Sequence, residues 1–509
     1  MYRMQLASLV WAFIISLTVA LGCFTAWLVW VSLDWPIVLD GGFFHFIGAQ
    51  MLLGGVPYRD LFDINLPLIF VLHAAVIAIG GAGDWAFRLF DLGILALVGV
   101  LAVALVWPAG RTLATLAALS IVSAHLMFGP VSAGERDYVL LVPALAAALL
   151  SAYAWEQSAQ RSPLLMAVGV ASALAALIKP TGALLAFLPF LGGRFRWRDA
   201  AWVLGGASAV AFAAFSALAA VGALGPFFRA MTVGLPIYTH IQRYSIGTLL
   251  LALGWTLLLK GVRWGFAVAA LLGLRRPQPP RARMMMGLTV FGLVHFLVQG
   301  KGYWYHIYPL LAGICCWGAW SIRQIPPPAA LLVVAVISAS FGTRGINVVE
   351  FVRTLNRVVV AQASEVIEAS LASRLRPGAR VQLLDSGGPA TLAMARAGMR
   401  QATPHFQWYF LLLGPDVWHT EFIEALKANP PDAVLVTNWQ WPLKDGFQAL
   451  DGWPELVAEL ACCYVLEESR TMDGLVHGWS GFPSVSWRLY LRRNESVRPD
   501  DISGRQRVP

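Results

Sequence analysis

The chain has 509 residues, of which 58% are hydrophobic and only 13% are charged. A soluble globular protein has too little interior to bury so many apolar side chains, so the composition predicts a polytopic α-helical membrane protein instead. The net charge of +9 does not indicate nucleic-acid binding, because the basic residues lie in short clusters between apolar segments, as in loops that fix membrane orientation.

The first apolar segment runs unbroken from about residue 8 to residue 32. It is too long for the core of a signal peptide and predicts an uncleaved membrane helix. Residues 41–53 have helical apolar spacing but are too short to span, which favours a helix lying in the interface. Residues 66–80 fit either a short span or a second interfacial helix. Further spans are predicted at 86–107, 112–130, 138–155, 163–179, 181–193, 200–222, 261–274, 285–300, 308–322 and 328–346.

The basic loops decide between the two interpretations of residues 66–80. If that segment is interfacial, the connectors that contain Arg111, Arg161 and Arg323 face the cytoplasm, as do those with Arg196 and Arg275. The preference of basic loops for the inside therefore predicts about eleven spans. We expect a multi-pass protein of the bacterial inner membrane, with a cytoplasmic N-terminus and a periplasmic C-terminal domain.

The composition changes near residue 350. Short β-branched or apolar runs at 380–384, 433–437, 463–466 and 487–491 alternate with helical stretches at 388–399 and 417–428, which is typical of a small α/β domain. The predicted organisation is a transmembrane module at 1–350, a linker helix at 351–376, an extracytoplasmic α/β domain at 377–493 and a disordered tail at 494–509.

The loop that follows the first predicted span concentrates polar residues, although the chain has only 28 Asp and Glu. Its ionisable residues are Asp40, His45, Arg59, Asp60 and Asp63. Asp40 precedes two glycines, so the backbone permits close approach of a substrate there. This carboxylate can act as a general base toward a hydroxyl, or it can cap the helix that follows, and both interpretations stay open.

The predicted topology brings the long loop 223–245 and three polar segments to the face of Asp40: GERDY at 134–138, KPTG at 179–182 and QGKGYWYHIYP at 299–309. Glu135 and Asp137 are costly near hydrocarbon, so they either pair with Arg136 or supply the second acid of a site that orients an acceptor or holds a divalent cation. Lys179 and Lys301 either extend to the interface or bind a lipid phosphate together with His306. The tyrosines near His306, including Tyr305, are also typical of a membrane interface.

Several motifs are absent from the sequence. It contains no glycine-rich phosphate loop, no dinucleotide-binding fingerprint, no HExxH zinc motif and no GxSxG elbow. The five cysteines have no metal-binding spacing, and we expect the adjacent Cys462 and Cys463 not to pair. Nucleotide binding therefore has no support.

Taken together, Asp40 with the loop after it, GERDY, KPTG and QGKGYWYHIYP resemble the GT-C superfamily of polyprenyl-phosphate-dependent glycosyltransferases. The resemblance covers about residues 1–320 and is strongest to the branch of lipid A aminoarabinose transferases and protein O-mannosyltransferases. It implies that Asp40 is a base or metal ligand and that Asp137, or as second choice Glu135, assists. It further implies that Lys179 and Lys301 hold the donor phosphate.

The implied function is transfer of a hexose or pentose from polyprenyl phosphate to a hydroxyl of a cell-envelope glycan, lipid or protein, on the periplasmic side and with inversion. Arg59, His306 and Tyr305 are further candidates for the donor phosphate, and His45 and Asp60 are candidates for the acceptor. The resemblance requires no cofactor and leaves a divalent cation at Asp40 and Asp137 open.

Two other functions stay open. A transporter or flippase of lipid-linked sugars would also use outward-facing cations, but it is expected to have broken helices near mid-membrane. A non-catalytic scaffold would not need Asp40 and Asp137 close together.

Overall fold

The structure is a computed structural model, which describes residues 2–193, 196–259, 262–338, 359–439, 446–473 and 484–493. The chain forms two compact units. The unit that we call the membrane unit contains residues 1–41, 65–225 and 239–356, and the C-terminal unit contains residues 42–64, 226–238 and 357–509. The predicted tail at 494–509 and the part of the predicted linker helix at 351–358 lie outside the described residues.

Helices account for most of the described chain. In the first half they are α1 Tyr2–Ser32, α2 Leu39–Leu52, α3 Pro67–Gly80, α4 Asp84–Val106, α5 Arg111–Leu126, α6 Arg136–Val139, α7 Leu141–Glu156, α8 Arg161–Ala176, α9 Trp197–Ala220, α10 Leu224–Arg229, α11 Leu235–His240 and α12 Ile246–Leu259. They continue with α13 Val262–Gly273, α14 Pro280–Gln299, α15 Tyr308–Ile322, α16 Pro327–Ser338, α17 Val359–Arg374, α18 Pro389–Arg396, α19 Trp408–Leu413, α20 Asp416–Ala428, α21 Gly446–Asp451 and α22 Pro454–Cys463.

Five helices of the described chain are long and apolar enough to cross a membrane. They are Met4–Ser32, Asp84–Ala109, Arg136–Glu156, Trp197–Ala220 and Pro280–Gln299. The described chain also has shorter apolar helices. One of these is Pro67–Gly80, the segment for which the sequence left a short span and an interfacial helix open. The protein is therefore a multi-pass membrane protein, and the count of about eleven spans stays a prediction.

Close packing of α14 against α15 depends on two glycines. A Cβ added to Gly292 would lie 2.1 Å from the backbone nitrogen of Leu310, and one added to Gly313 would lie 2.6 Å from the Cα of Thr289. Small residues at such a crossing let two helix backbones approach within a membrane. This contact packs the C-terminal half of α14 against the N-terminal half of α15.

The C-terminal unit contains a five-stranded sheet with the order β2-β1-β3-β5-β4. The strands are β1 Arg380–Leu384, β2 Arg400–Gln401, β3 Ala433–Thr437, β4 Tyr464–Asp473 and β5 Ser484–Arg492. β1 pairs in parallel with β2 and β3, whereas β5 is antiparallel to β3 and β4. The central strand β3 is buried at every residue, as its continuous apolar sequence predicts for a strand covered on both faces.

The extents of β1 and β3 coincide with the predicted runs, and β4 and β5 are longer than predicted. Cys462 and Cys463, at the junction of α22 and β4, form a disulfide between adjacent residues. The expectation that they do not pair was therefore wrong.

Most of the loop after α1 folds with the C-terminal unit rather than with the predicted 1–350 module. The side chain of Gln50 makes two hydrogen bonds to the backbone at the start of β2. Its Nε2 donates to the carbonyl of Met399 at 2.7 Å, and its Oε1 accepts from the N–H of Gln401 at 2.9 Å. The N–H of Phe62 donates to the carbonyl of Pro404 at 2.8 Å. The two hydrogen bonds of Gln50 satisfy backbone groups at the edge strand β2 of the sheet.

Candidate active site

The centre of the candidate site is a buried ion pair in the membrane unit. Lys179 Nζ lies 2.6 Å from Asp137 Oδ2, and the two side chains are 6% and 0% exposed. Asp137 lies on the short helix α6, and Lys179 lies in the turn before the 3₁₀ helix Pro180–Gly192. A carboxylate and an ammonium at such a depth are stable only if they neutralise each other and their remaining donors and acceptors are used.

Two residues of α14 complete this polar cluster. His295 Nε2 lies 2.5 Å from Asp137 Oδ1, and Gln299 donates to the same oxygen at 3.0 Å. Gln299 Oε1 also accepts from Lys179 at 2.6 Å. Because His295 and Gln299 are four residues apart, they project from the same face of the helix. The carboxylate of Asp137 thus positions the Lys179 ammonium.

The orientation of His295 follows from its second ring nitrogen. His295 Nδ1 lies 2.7 Å from the hydroxyl of Thr181. With Nε2–H donated to Asp137, Nδ1 accepts from this hydroxyl, so both sides of the ring are fixed. Sequence reasoning missed His295, and it gave no role to Gln299 or Thr181, although both lie in polar segments that it placed near Asp40. The available signal for His295 was a pair of polar residues four apart on an apolar helix.

Asp40 is half-buried at the start of α2, and its neighbours hold it in place. Leu39 has a positive φ of 49°, which costs a side chain other than glycine roughly 1–2 kcal/mol and so indicates that its surroundings impose the conformation. Upstream, the N–H of Ile37 donates to Asp84 at 2.7 Å. A Cβ on Gly41 would lie 3.2 Å from the carbonyl oxygen of Ala133, so the backbone after Asp40 closely approaches the GERDY segment.

The electrostatics of Asp40 couple it to the same cluster. Burial raises the pKa of Asp40, and the charges of Arg136 and Lys179 oppose that rise whereas Asp137 adds to it. Asp40, Asp137 and Lys179 therefore interact electrostatically. A non-catalytic scaffold would not require these charges to lie close together. A half-buried carboxyl with a raised pKa is suited to take a proton from a hydroxyl.

Glu135 has a different environment from Asp137. It is 3% exposed, and among the described residues its Oε2 has no hydrogen-bond partner. Burial raises the pKa of Glu135 well above its usual value, and the charges of Asp40 and Asp137 raise it further. Glu135 therefore favours the neutral acid, which can donate a hydrogen bond.

His306 and Tyr305 lie beside Lys179. The Lys179 ammonium is 6.0 Å from the centroid of the Tyr305 ring. Burial, and then the charge of Lys179, lowers the pKa of His306 well below its usual value. His306 is thus a neutral imidazole that can exchange hydrogen bonds with a polar substrate.

The other predicted site residues have different surroundings. Lys301 donates to the carbonyl of Ile241, and burial, with the nearby charge of Arg243, lowers the pKa of Lys301 to about 8. Three further candidates lie in the C-terminal unit. There Arg59 and Asp60 form an exposed ion pair at 2.8 Å, and His45 is buried.

A second buried network supports the GERDY segment from α4. Asp91 accepts from the N–H of Gly134 at 3.0 Å and from the guanidinium of Arg88. Its other contact is His125, whose Nε2 lies 3.4 Å away and whose Nδ1 lies 2.9 Å from the hydroxyl of Tyr308. Asp91 therefore ties the loop of Glu135 to the start of α15, a role that the sequence did not reveal.

Known structures share the overall fold of this chain. ArnT from Cupriavidus metallidurans bound to undecaprenyl phosphate aligns with a TM-score of 0.62 at 14% sequence identity, over 93% of this chain and 98% of that one. The apo state of ArnT from the same organism gives a TM-score of 0.58 at 15% identity with the same coverage. No protein-family model and no curated protein match the sequence.

The chain has the fold of ArnT. At 14–15% identity this likeness is one of fold, so the resemblance that the sequence suggested is confirmed at the level of the fold.

Within this ArnT-like fold, the donors around Asp137 test whether a divalent cation fits. Oδ2 faces the ammonium of Lys179, and Oδ1 accepts from His295 and Gln299. A cation bound by Asp137 would have to displace Lys179. The arrangement favours Lys179 over a metal ion as the positive charge next to Asp137.

We expect Gly134→Ala to lower both stability and activity. Gly134 has a φ of +70°, and a Cβ there would lie 2.7 Å from Phe87 Cζ, a side chain that is only 2% exposed. Strain at positive φ and overpacking each cost roughly 1–3 kcal/mol. Thermal unfolding of the purified variant should shift down. Gly83→Ala is the matched control, because nothing lies within 4 Å of a Cβ there.

We also expect the affinity for an anionic donor to fall as the pH rises through about 8. Burial lowers the pKa of Lys179 from 10.5 to about 8, so the ammonium is present below that pH and lost above it. The measurement is the donor KM between pH 6 and about 10. In Lys179→Arg, the rise in donor KM should begin at a higher pH, because arginine stays charged. In Lys301→Arg, it should begin at the same pH as in the wild type. The reverse pattern would transfer the role to Lys301.

Proposed function

We propose that this protein is a membrane glycosyltransferase that moves a sugar from polyprenyl phosphate to a hydroxyl of a cell-envelope acceptor on the periplasmic side, with inversion. The observation that carries this proposal is the single electrostatic cluster formed by Asp40, Glu135, Asp137 and Lys179. It brings a candidate base, a neutral acid and a cation together in one place.

Lys179 is proposed to bind the donor phosphate. Its ammonium has three donors, of which one is directed to Asp137 and one to Gln299, so one remains for a phosphate oxygen. The low-polarity surroundings strengthen such a charge-assisted hydrogen bond. The similar ArnT structure was solved with undecaprenyl phosphate bound, which is a polyprenyl phosphate of the proposed kind. Lys301 and Arg59 stay secondary proposals for the same phosphate.

The chemical step follows from these groups. Asp40 accepts the proton of the acceptor hydroxyl while that oxygen forms a bond to the anomeric carbon of the sugar. The bond between this carbon and the phosphate oxygen breaks, and the phosphate leaves with the electron pair. Lys179 stabilises the negative charge on the leaving phosphate, and Glu135 donates a hydrogen bond to the sugar or the acceptor. A single displacement of this type inverts the anomeric centre.

The phosphate already activates the sugar, so the reaction needs no nucleotide. We propose that the site faces the periplasm, because the cytoplasmic face is assigned to the arginine-rich connectors. His306 and Tyr305, beside Lys179, would border the donor phosphate. His45 and Asp60 remain proposals for the acceptor.

A panel of donors tests the proposed function. Purified protein in lipid nanodiscs is incubated with an envelope extract and either polyprenyl-phosphate sugars or nucleotide sugars, and lipids are analysed by mass spectrometry. We expect at least one lipid-linked sugar to be converted to free polyprenyl phosphate and no nucleotide sugar to be consumed. Movement of intact lipid-linked sugar across proteoliposomes, without consumption of any donor, would instead identify a transporter.

A further inference from the structure

An apolar groove lies on the membrane unit, away from the candidate active site. Its volume is about 800 Å³, within the range of ligand-binding pockets. α4 and α5 supply most of its wall, and small side chains such as Ala96, Gly99 and Ala118 leave the space open. A hollow lined almost entirely by apolar atoms does not hold ordered water, so an acyl chain suits it better than a polar ligand does.

The groove lies at the opposite end of α4 from the acidic residues of the candidate active site. Asp91 contacts Gly134 near one end of that helix, whereas Trp107, which lines the groove, follows its other end. At 1.5 Å per residue, these two points are about 24 Å apart along the helix axis. A phosphate held at Lys179 could not also lie at this end of α4.

Two exposed arginines flank the end of the groove at Trp107. Arg323 donates to the carbonyl of Pro108 at 2.8 Å, and the guanidinium of Arg111 lies over the Trp107 ring, 5.5 Å from its centroid. Among the described residues, neither Arg111 nor Arg323 forms an ion pair. Trp107 is 49% exposed, as is typical of tryptophan at a membrane interface.

The nearby acid does not cancel these charges. Glu156 pairs with Arg281, and Arg281 also donates to the carbonyl of Ala104 at 3.0 Å, so this pair is neutral. The groove end therefore carries the positive charges of Arg111 and Arg323 beside apolar surface. Guanidinium groups next to an acyl-sized apolar hollow match a phospholipid with an anionic headgroup.

We propose that this groove binds an anionic glycerophospholipid, with one acyl chain between α4 and α5 and its phosphate at Arg111 and Arg323. The site is distinct from the proposed donor site and does not depend on the proposed function. A lipid bound there would join the turn between α4 and α5 to the start of the connector after α15, and so stabilise the membrane unit.

The test is native mass spectrometry of the full-length protein released from nanodiscs that contain equal parts of phosphatidylglycerol and phosphatidylcholine. We expect the wild type to retain phosphatidylglycerol preferentially. In the double variant Arg111→Gln, Arg323→Gln, the ratio of retained phosphatidylglycerol to phosphatidylcholine should fall by about tenfold. This fall corresponds to the loss of roughly one charge-assisted hydrogen bond. Arg196→Gln, Arg198→Gln removes the same charge from exposed residues at the start of α9 and should keep the preference.

A second variant tests the acyl chain. A Cβ at Gly99 meets only Val122, at an ordinary 3.5 Å, so Gly99→Leu should narrow the groove without a backbone clash. We expect it to reduce retention of both lipids. Unchanged retention in Gly99→Leu, or an equal loss of preference in the Arg196 and Arg198 variant, would overturn the proposal and indicate general attraction to a basic surface.

Discussion

Asp40→Asn is expected to lower the rate of sugar transfer by about 10²–10⁴-fold, the usual contribution of a general base. Asparagine has nearly the same shape and can still hydrogen-bond to the acceptor, but it cannot take up the hydroxyl proton. The variant should insert and fold normally, because Asp40 is only half-buried at the start of α2. The measurement is the turnover number of the purified protein with saturating donor.

The matched control is Asp34→Asn. Asp34 is an exposed carboxylate in the connector just before α2, and its loss should change turnover less than about threefold. If Asp40→Asn retained full turnover, Asp40 would not be the base. Since Glu135 is buried and electrostatically coupled to Asp40, it would then be the next carboxyl to examine.

The second large effect concerns the pair of Lys179 and Asp137. Lys179→Met should raise the donor KM by about 10- to 100-fold, because a hydrogen bond from a charged group contributes roughly 1.5–3 kcal/mol. It should also destabilise the protein, since it leaves the fully buried Asp137 carboxylate without its cation. Breaking a buried ion pair from one side costs about 3–5 kcal/mol.

The double variant Lys179→Met, Asp137→Asn separates these two effects. Removal of the unpaired charge should recover much of the thermal stability, but the donor KM should stay as high as in Lys179→Met alone. This outcome is expected if Asp137 acts only by positioning Lys179. A double variant with clearly weaker donor binding than Lys179→Met would show that Asp137 makes its own contact with the substrate.

Sequence reasoning located the segments of the site better than their contacts. Asp40, Asp137 and Lys179 each lie at a helix end, so the orientation of basic loops was enough to predict that they share a face. The carboxylate of Asp137 was expected to be the second acid of the reaction. The structure instead surrounds it with Lys179, His295 and Gln299, which favours a positioning role.

The contacts that were missed join distant parts of the chain. Asp137 and His295 are 158 positions apart, and no local pattern links an acid at one helix start to a histidine inside another helix. The same holds for Gln50, which reaches the backbone of Met399 from the first connector. The apolar spacing of residues 41–53 correctly predicted the helix α2. It did not predict that α2 packs against the C-terminal sheet.

Binding of undecaprenyl phosphate tests the central claim directly, because this carrier is common to donors whatever their sugar. Labelled undecaprenyl phosphate is titrated onto the purified protein in nanodiscs, with the wild type, Asp40→Asn and Lys179→Met compared. We predict saturable binding by the wild type and by Asp40→Asn, and binding at least about tenfold weaker by Lys179→Met. Absence of saturable binding to the wild type, or equal affinity in Lys179→Met, would contradict the assignment of this cluster to a lipid-phosphate donor.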